Sequence, residues 1–303
     1  MSLTDTQLQD RYVVRNVVGM LGLIRQDPVT LVSFCFLMFV IFLGVFGPMI
    51  APYGADERVY GPDGEVMIAE PPSAAHPLGT TDISHDVFSK ILHGARPTVV
   101  AGLIGGSMII TIGTTIGATA GYVGGYVDNV LMRFTDFVYG VPLLPFAIVL
   151  VGLFGVGYFQ SIIVIGLILW RGSARVIRSQ VLQIKERPYI LSAKASGAST
   201  TRILVKHILP NIAPMALLFF AIGVGYTIII QAGLSFLGVA NPYIPSWGVI
   251  IRNAYSSGRM ITAWWWSIAP GLMLSFTVMA TFMFGRGYEK LIGSDSNESA
   301  LTQ

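Results

Sequence analysis

Uninterrupted apolar runs, each long enough to cross a bilayer, constrain this sequence more than any other feature. The first, "LVSFCFLMFVIFLGVFGPMIA", fills Leu31–Ala51 and carries no charge. The hydrocarbon core of a bilayer takes roughly 20 residues of helix. Comparable runs at Thr98–Tyr122, Phe137–Gly157, Ser161–Ile177, Ile208–Leu237 and Ile261–Phe284 bring the expected spans to six. The runs are continuously apolar rather than alternating, which excludes a closed barrel. Charged residues are 12% of the chain, against about 25% in soluble domains. The fold class that follows is an all-α polytopic membrane protein. The first run is too long for the core of a cleavable signal peptide and reads as a retained span. The one cysteine, Cys35, lies inside it, reads as packing, and allows no intramolecular disulfide.

Lys and Arg in the connections set the orientation. With an even number of spans both termini share one side. That side holds Arg11, Arg15, Arg25, Arg133, the cluster from Arg175 to Lys206, Arg286 and Lys290. The other side holds Arg58, Lys90, Arg96, Arg252 and Arg259. The first set is expected to be cytoplasmic. The chain then divides into a cytoplasmic segment 1–30, a first span 31–51, an extracytoplasmic loop 52–97, a core of five spans over 98–290 and a polar tail 291–303. A net charge of +3 is too small to suggest a nucleic-acid partner.

Within the spans, Gly113, Gly117, Gly121 and Gly125 recur every four residues. On a helix they form one smooth strip that admits another backbone. Pro142, Pro145, Pro214 and Pro270 interrupt spans. Broken helices survive in a bilayer only where protein or a water-filled cavity satisfies the freed carbonyls, which favours a transporter or channel. Thr227 and Gln231 are the candidates for facing a path, with an interhelical hydrogen bond as the other reading. Trp247 in "PSWG" is read as a gate element or as an anchor at the membrane interface. Arg171, Arg175 and Arg178 share one face and are expected to snorkel at the inner end of the fourth span. No span carries a central Asp or Glu and there is no arginine ladder, which counts against ion coupling. There is no phosphate-binding glycine loop, no metal-binding His or Cys pattern and no nucleophile–base set. Catalysis, cofactors and metals are therefore not expected of this chain.

One basic, small-residue excursion breaks the apolar pattern: "YILSAKASGASTTRILVKHILPNIAP", Tyr189–Pro214. Pro188 suits a first helical turn. Gly197 can take the positive φ that turns a chain, and Ser199 can cap a second helix. Pro210 then opens the fifth span. Ala193, Ala195 and Ser196 leave the surface open to close approach. A plain connection would be shorter.

This segment, about 183–208, resembles the cytoplasmic EAA loop of ABC importer permeases, in which a glycine is followed thirteen residues later by the proline of Leu-Pro. Gly197, Leu209 and Pro210 stand at that spacing, Ser192 and Ala193 fall on the two alanines, and Leu191 occupies the glutamate position. "HPLGTTDISHDVFSKILHGARPTVVAGL" is similar to a segment of the dipeptide/oligopeptide/nickel permease family, with Thr81, Ser84 and His85 in place of Asp, Gly and Arg. "GYVGGYVDNVLMRFTDFVYGVPLLPFAIVL", "SFLGVANPYIPSWGVII" and "KHILPNIAP" resemble further segments of it. The resemblance runs from about residue 30 to about residue 293, and the extra first span looks like the C-type partner of two dissimilar permeases.

The resemblance implies a MetI-like core of five spans behind an extra N-terminal helix. It implies a permease subunit importing dipeptides, oligopeptides or related solutes. The implied partners are a second permease, two cytoplasmic ATPase subunits, an extracytoplasmic binding protein and lipid. Ser192, Ala193, Lys194, Ala195, Gly197, Ala198, Arg202, His207, Leu209 and Pro210 would form the loop that couples to the ATPase. The competing reading is an ion-coupled secondary transporter working alone; a passive anchor is disfavoured by the broken spans.

Overall fold

The computed structural model describes the backbone of residues 27–155 and 157–301; the basic N-terminal segment with Arg11, Arg15 and Arg25 lies outside them. Helix α1 (Pro28–Ile50) opens on Asp27, whose carboxylate accepts the Thr30 N–H at 2.9 Å, with Pro28 in its first turn. Helix α2 (Val87–Val123) begins well before Thr98 and is capped by Asp86. Helices α3 (Gly125–Gly140) and α4 (Leu143–Phe154) meet at an angle of 87°. Helix α5 (Tyr158–Ile184) leads to the short α6 (Pro188–Ala195) and α7 (Thr200–Ile203). A wider turn, Leu204–Ile208, joins α7 to α8 (Leu209–Phe236). Then come α9 (Trp247–Ser256) and the long α10 (Trp264–Leu301). Among the described residues there is no β-strand, only three isolated bridges.

Among the described residues five helical stretches are long and apolar enough to span a membrane, or six where the bent pair α3–α4 counts as one broken span. The third expected span is not a continuous helix but is broken at Val141–Pro142. Pro142 cannot donate and biases the residue before it away from helix, and Val141 is extended, with φ −79° and ψ 118°. The outward faces are apolar: Phe39, Phe42, Phe46 and Met49 on α1 and Val149 and Leu153 on α4 are exposed, as suits lipid or another membrane subunit.

At the centre α2 packs against α5, α8 and α1. Gly113, Gly117 and Gly121 lie on the α5 contact. A Cβ at Gly117 would sit 2.4 Å from the Ala174 carbonyl oxygen, and one at Gly113 2.0 Å from Ser173 Oγ. Gly125 does not extend the strip. The helix stops at Val123, and Gly124 and Gly125 turn the chain with φ of +70° and +56°, with open space around both.

Residues 51–86 form a folded cap rather than a bare loop. The Asp86 carboxylate takes the His76 ring Nδ1 at 3.0 Å and the Ser89 N–H and hydroxyl, each at 2.7 Å. Thr80 Oγ1 donates to the Met67 carbonyl at 2.6 Å, and Trp265 Nε1 on α10 donates to the Thr80 carbonyl at 3.3 Å. Beneath the cap, Leu43, Val87, Ile91, Trp247, Ile250 and Trp266 form one buried apolar cluster.

Candidate functional site

The excursion between α5 and α8 is two-sided. Ile190, Ile203 and Ile208 turn inward and join Ala118 of α2, Ile177, Val181 and Ile184 of α5 and Ile212 of α8 in a single buried cluster. Leu191, Ser192, Lys194, Ala195, Ser196, Gly197, Arg202, Leu209 and Pro210 are exposed; Ala193, Ala198 and His207 are half-buried. The apolar face fixes the loop to three spans, and the other face is left free.

Hydrogen bonds explain its shape. At the end of α6 the Gly197 N–H donates to the Lys194 carbonyl at 3.0 Å and the Ala198 N–H to the Ala193 carbonyl at 3.1 Å. These paired bonds are the glycine-dependent helix stop in which one residue must adopt the left-handed conformation, and Gly197 has φ +80°. Ser199 Oγ then accepts the Arg202 N–H at 3.3 Å and starts α7. Pro210 offers no N–H, and its ring would crowd the carbonyl four residues earlier. The widened turn Leu204–Ile208 relieves that crowding, with the Leu209 N–H donating to the Leu204 carbonyl five residues back. Asn211 Nδ2 donates to the His207 carbonyl at 2.7 Å.

The three arginines of α5 do not snorkel at a helix end. The helix runs on to Ile184, so Arg171 stands near its middle, and all three grip the broken third span. Arg178 Nε and Nη2 hold the Asp128 carboxylate at 2.5 and 2.6 Å. Arg175 Nη2 holds Asp136 at 2.5 Å. Arg171 Nη1 donates to the carbonyls of Val138 at 2.6 Å and Val141 at 3.4 Å, beside the break. The Tyr139 ring lies under two guanidiniums, 4.8 Å from that of Arg171 and 4.0 Å from that of Arg175. The break is thus satisfied by protein, as a broken helix in a bilayer requires. The signal in the sequence is the coexistence of Asp128 and Asp136 before the break with three arginines on the next span.

The proposed path residues fall elsewhere. Thr227 is fully buried against Gly105 of α2 and donates to the Gly223 carbonyl at 2.8 Å. Gln231 is buried and donates to Ser235 Oγ at 3.1 Å. Both bonds stay within α8, so the side chains are closed inside this chain by packing rather than bonded across helices. Trp247 is fully buried as well: its Nε1 donates to the Ile91 carbonyl at 3.0 Å and its N–H to Thr98 Oγ1 at 3.4 Å. Its ring is a core anchor tying α9 to α2, not an interfacial ring. Among the described residues no cluster of acidic, His and Cys side chains could hold a metal.

Residues 113–292 match the family model described as the binding-protein-dependent transport system inner membrane component. Residues 23–72 match the N-terminal transmembrane domain of oligopeptide transport permease C. The chain is 34% identical over 253 residues to the glutathione transport system permease protein GsiD of Pectobacterium atrosepticum, covering 83% of this chain and 82% of that protein. It is 32% identical over 294 residues to the dipeptide transport system permease protein DppC of Bacillus subtilis, covering 95% and 85%. GsiD of Escherichia coli is 33% identical over 264 residues, covering 87% and 85%.

Proposed function

The chain belongs to the family of binding-protein-dependent transport system inner membrane components, and from that premise we propose how it works as a permease subunit of a peptide-class ABC importer. It pairs with a second, dissimilar permease. Two ATPase subunits sit below, and a binding protein delivers short peptides or related solutes from outside. Both termini and the 183–208 loop face the cytoplasm, and the 51–86 cap faces outward. The exposed face of α6, Gly197 and α7 docks in a groove of one ATPase subunit.

The observation that carries this reading is the two-sided loop. A free, basic, small-residue face is backed by Ile190, Ile203 and Ile208, which are buried among three spans. A load on that face is therefore passed to α2, α5 and α8. Closure of the ATPase pair would move the loop as a rigid lever, and the broken third span supplies a place for the spans to rearrange. An ion-coupled transporter working alone is not favoured, since Asp128 and Asp136, the carboxylates of the broken third span, are each paired with an arginine of α5 and the chain's relatives are permease subunits.

The test is copurification of the assembled complex, with ATPase activity measured as candidate peptides and the binding protein are added. Stimulation only when all parts are present is expected; full activity from the chain alone would defeat the reading. Orientation is tested with single cysteines in a Cys35→Ser background. A cysteine at Thr200 should be labelled only from the cytoplasmic side and one at Asp63 only from outside.

A further inference from the structure

Three arginines share a stripe of α5, and they are not satisfied alike. Arg178 and Arg175 each hold a carboxylate. Arg171, at the middle of the helix, has no carboxylate partner among the described residues. Its Nη1 serves two backbone carbonyls, while its Nε and Nη2 N–H groups have no acceptor among the described residues. That free Nε–Nη2 edge is the edge with which Arg178 grips Asp128. Arg171 lies about 20 Å along α5 from its start, at 1.5 Å per residue, which is membrane depth. A guanidinium remains charged there, and a charged side chain at membrane depth faces the bundle interior or a water-filled cavity and marks a solute path.

A cavity is present. Arg171, Tyr139, Ser173 and Tyr226 help to line about 200 Å³ between α2, α3, α5 and α8. It shares Ile222 and Tyr226 with a wider groove of about 690 Å³ between α8 and α10, whose lining includes Arg286. No Asp or Glu lines either space. The route is apolar, carries tyrosine hydroxyls, and is cationic at two positions.

We infer that Arg171 binds a carboxylate of the transported solute, the C-terminal carboxylate where the solute is a short peptide. This rests on the peptide-import reading above. The Nε–Nη2 edge presents two parallel N–H donors matched to the two oxygens of a carboxylate, and a lysine would offer a point charge without that fork. The apolar wall takes the solute's side chains. The bonds from Nη1 to Val138 and Val141 hold the guanidinium in place, so the site is organised before the solute arrives and is tied to the break in the third span.

The experiment uses the assembled importer in nanodiscs, with dialanine and dialanine amide as probes and saturation-transfer NMR as the readout for weak binding. The wild type should bind the free acid at least tenfold more tightly than the amide. Arg171→Gln should erase that preference while leaving amide binding intact, and Arg171→Lys should keep part of it. Equal weakening of both probes in Arg171→Gln would mean that Arg171 only caps the break, and overturns the inference. Should Arg171→Gln fail to assemble, the remaining two proteins decide. Equal binding of acid and amide by the wild type, or an unaltered preference in Arg171→Lys, overturns it. Uptake of labelled dialanine by wild-type importer with its binding protein is measured alongside. Uptake without dependence of binding on Arg171 sinks this inference alone, whereas no uptake sinks the peptide reading and the inference with it.

Discussion

Gly197 offers the sharpest test of the coupling loop, because its contribution can be divided into backbone and side-chain parts. Its φ of +80° is held by the two bonds that end α6. A β-branched residue forced into that region costs about 1–2 kcal/mol, enough to lower the population of the correct turn by a factor of about 5–30. Among the described residues nothing else opposes a side chain, since no heavy atom lies within 4 Å of an added Cβ. Insertion and packing of the spans should therefore survive Gly197→Val. Uptake and ATPase copurification, compared at equal membrane abundance, should fall at least fivefold. Asparagine tolerates positive φ, so Gly197→Asn should retain most of the uptake if the backbone is the cause. If it fails as badly as valine, the added side chain meets the partner's groove. Unchanged uptake with normal ATPase retention in Gly197→Val would refute the assignment of this turn to coupling.

Two further outcomes concern the cap and the cluster beneath it. Trp247→Ala removes a fully buried ring and its bond to the Ile91 carbonyl and should destabilise the protein by about 3–5 kcal/mol; an unaltered melting temperature in detergent would contradict the anchoring role. His85 in the cap is pushed down to about 4, first by burial and then by the nearby Lys90 and Arg58 against the opposing Asp56. The unfolded chain takes up this proton near its ordinary value of 6.5 and the folded chain only near 4. Cap stability should thus be complete above 6.5 and decline as pH falls towards 4. His85→Gln should flatten that decline in melting temperature, and an equally steep decline in the variant would refute the assignment.

The sequence was most legible where local chemistry decides the outcome. Apolar runs gave the spans, Pro188, Gly197, Ser199 and Pro210 fall at the helix ends their chemistry favours, and Gly113, Gly117 and Gly121 pack on a neighbour. It was least legible where a partner distant in sequence decides. Polarity alone pointed Thr227 and Gln231 at a path, but which face of α8 meets α2 depends on packing that one helix does not reveal. Trp247 read as interfacial because its ring is amphipathic, yet Ile91 and Thr98, about 150 residues away in sequence, offered its donors partners in the interior. The arginine stripe was visible, but its meaning changed once α5 proved longer than its apolar run. The cap is illegible in the sequence because its polar bonds connect residues that have no periodic pattern, such as Met67 with Thr80 and His76 with Asp86.

The same geometry predicts where the spans give way when the loop is driven. The loop's isoleucines share a buried cluster with α2, α5 and α8, and the glycine strip brings α2 within backbone contact of α5. Packed interiors of this kind shift as units rather than deform continuously. The elbow at Val141–Pro142 is different: α3 is clamped to α5 by the ion pairs of Asp128 and Asp136, while α4, set at 87° to α3, meets α5 through the apolar contacts of Ala147 and Val151 and leaves Ile148, Val149 and Leu153 exposed. Bending should therefore localise at the elbow, with α2, α3 and α5 moving together and α4 changing its angle to them. Spin labels in a Cys35→Ser background at Val123 on α2, Ile148 on α4 and Val176 on α5 test this in the assembled importer. All three side chains are exposed. ATP binding should leave the Val123–Val176 distance distribution fixed and shift Ile148–Val176. A shift confined to Val123–Val176 would place the hinge between α2 and α5 instead, and the elbow would then be a static packing feature.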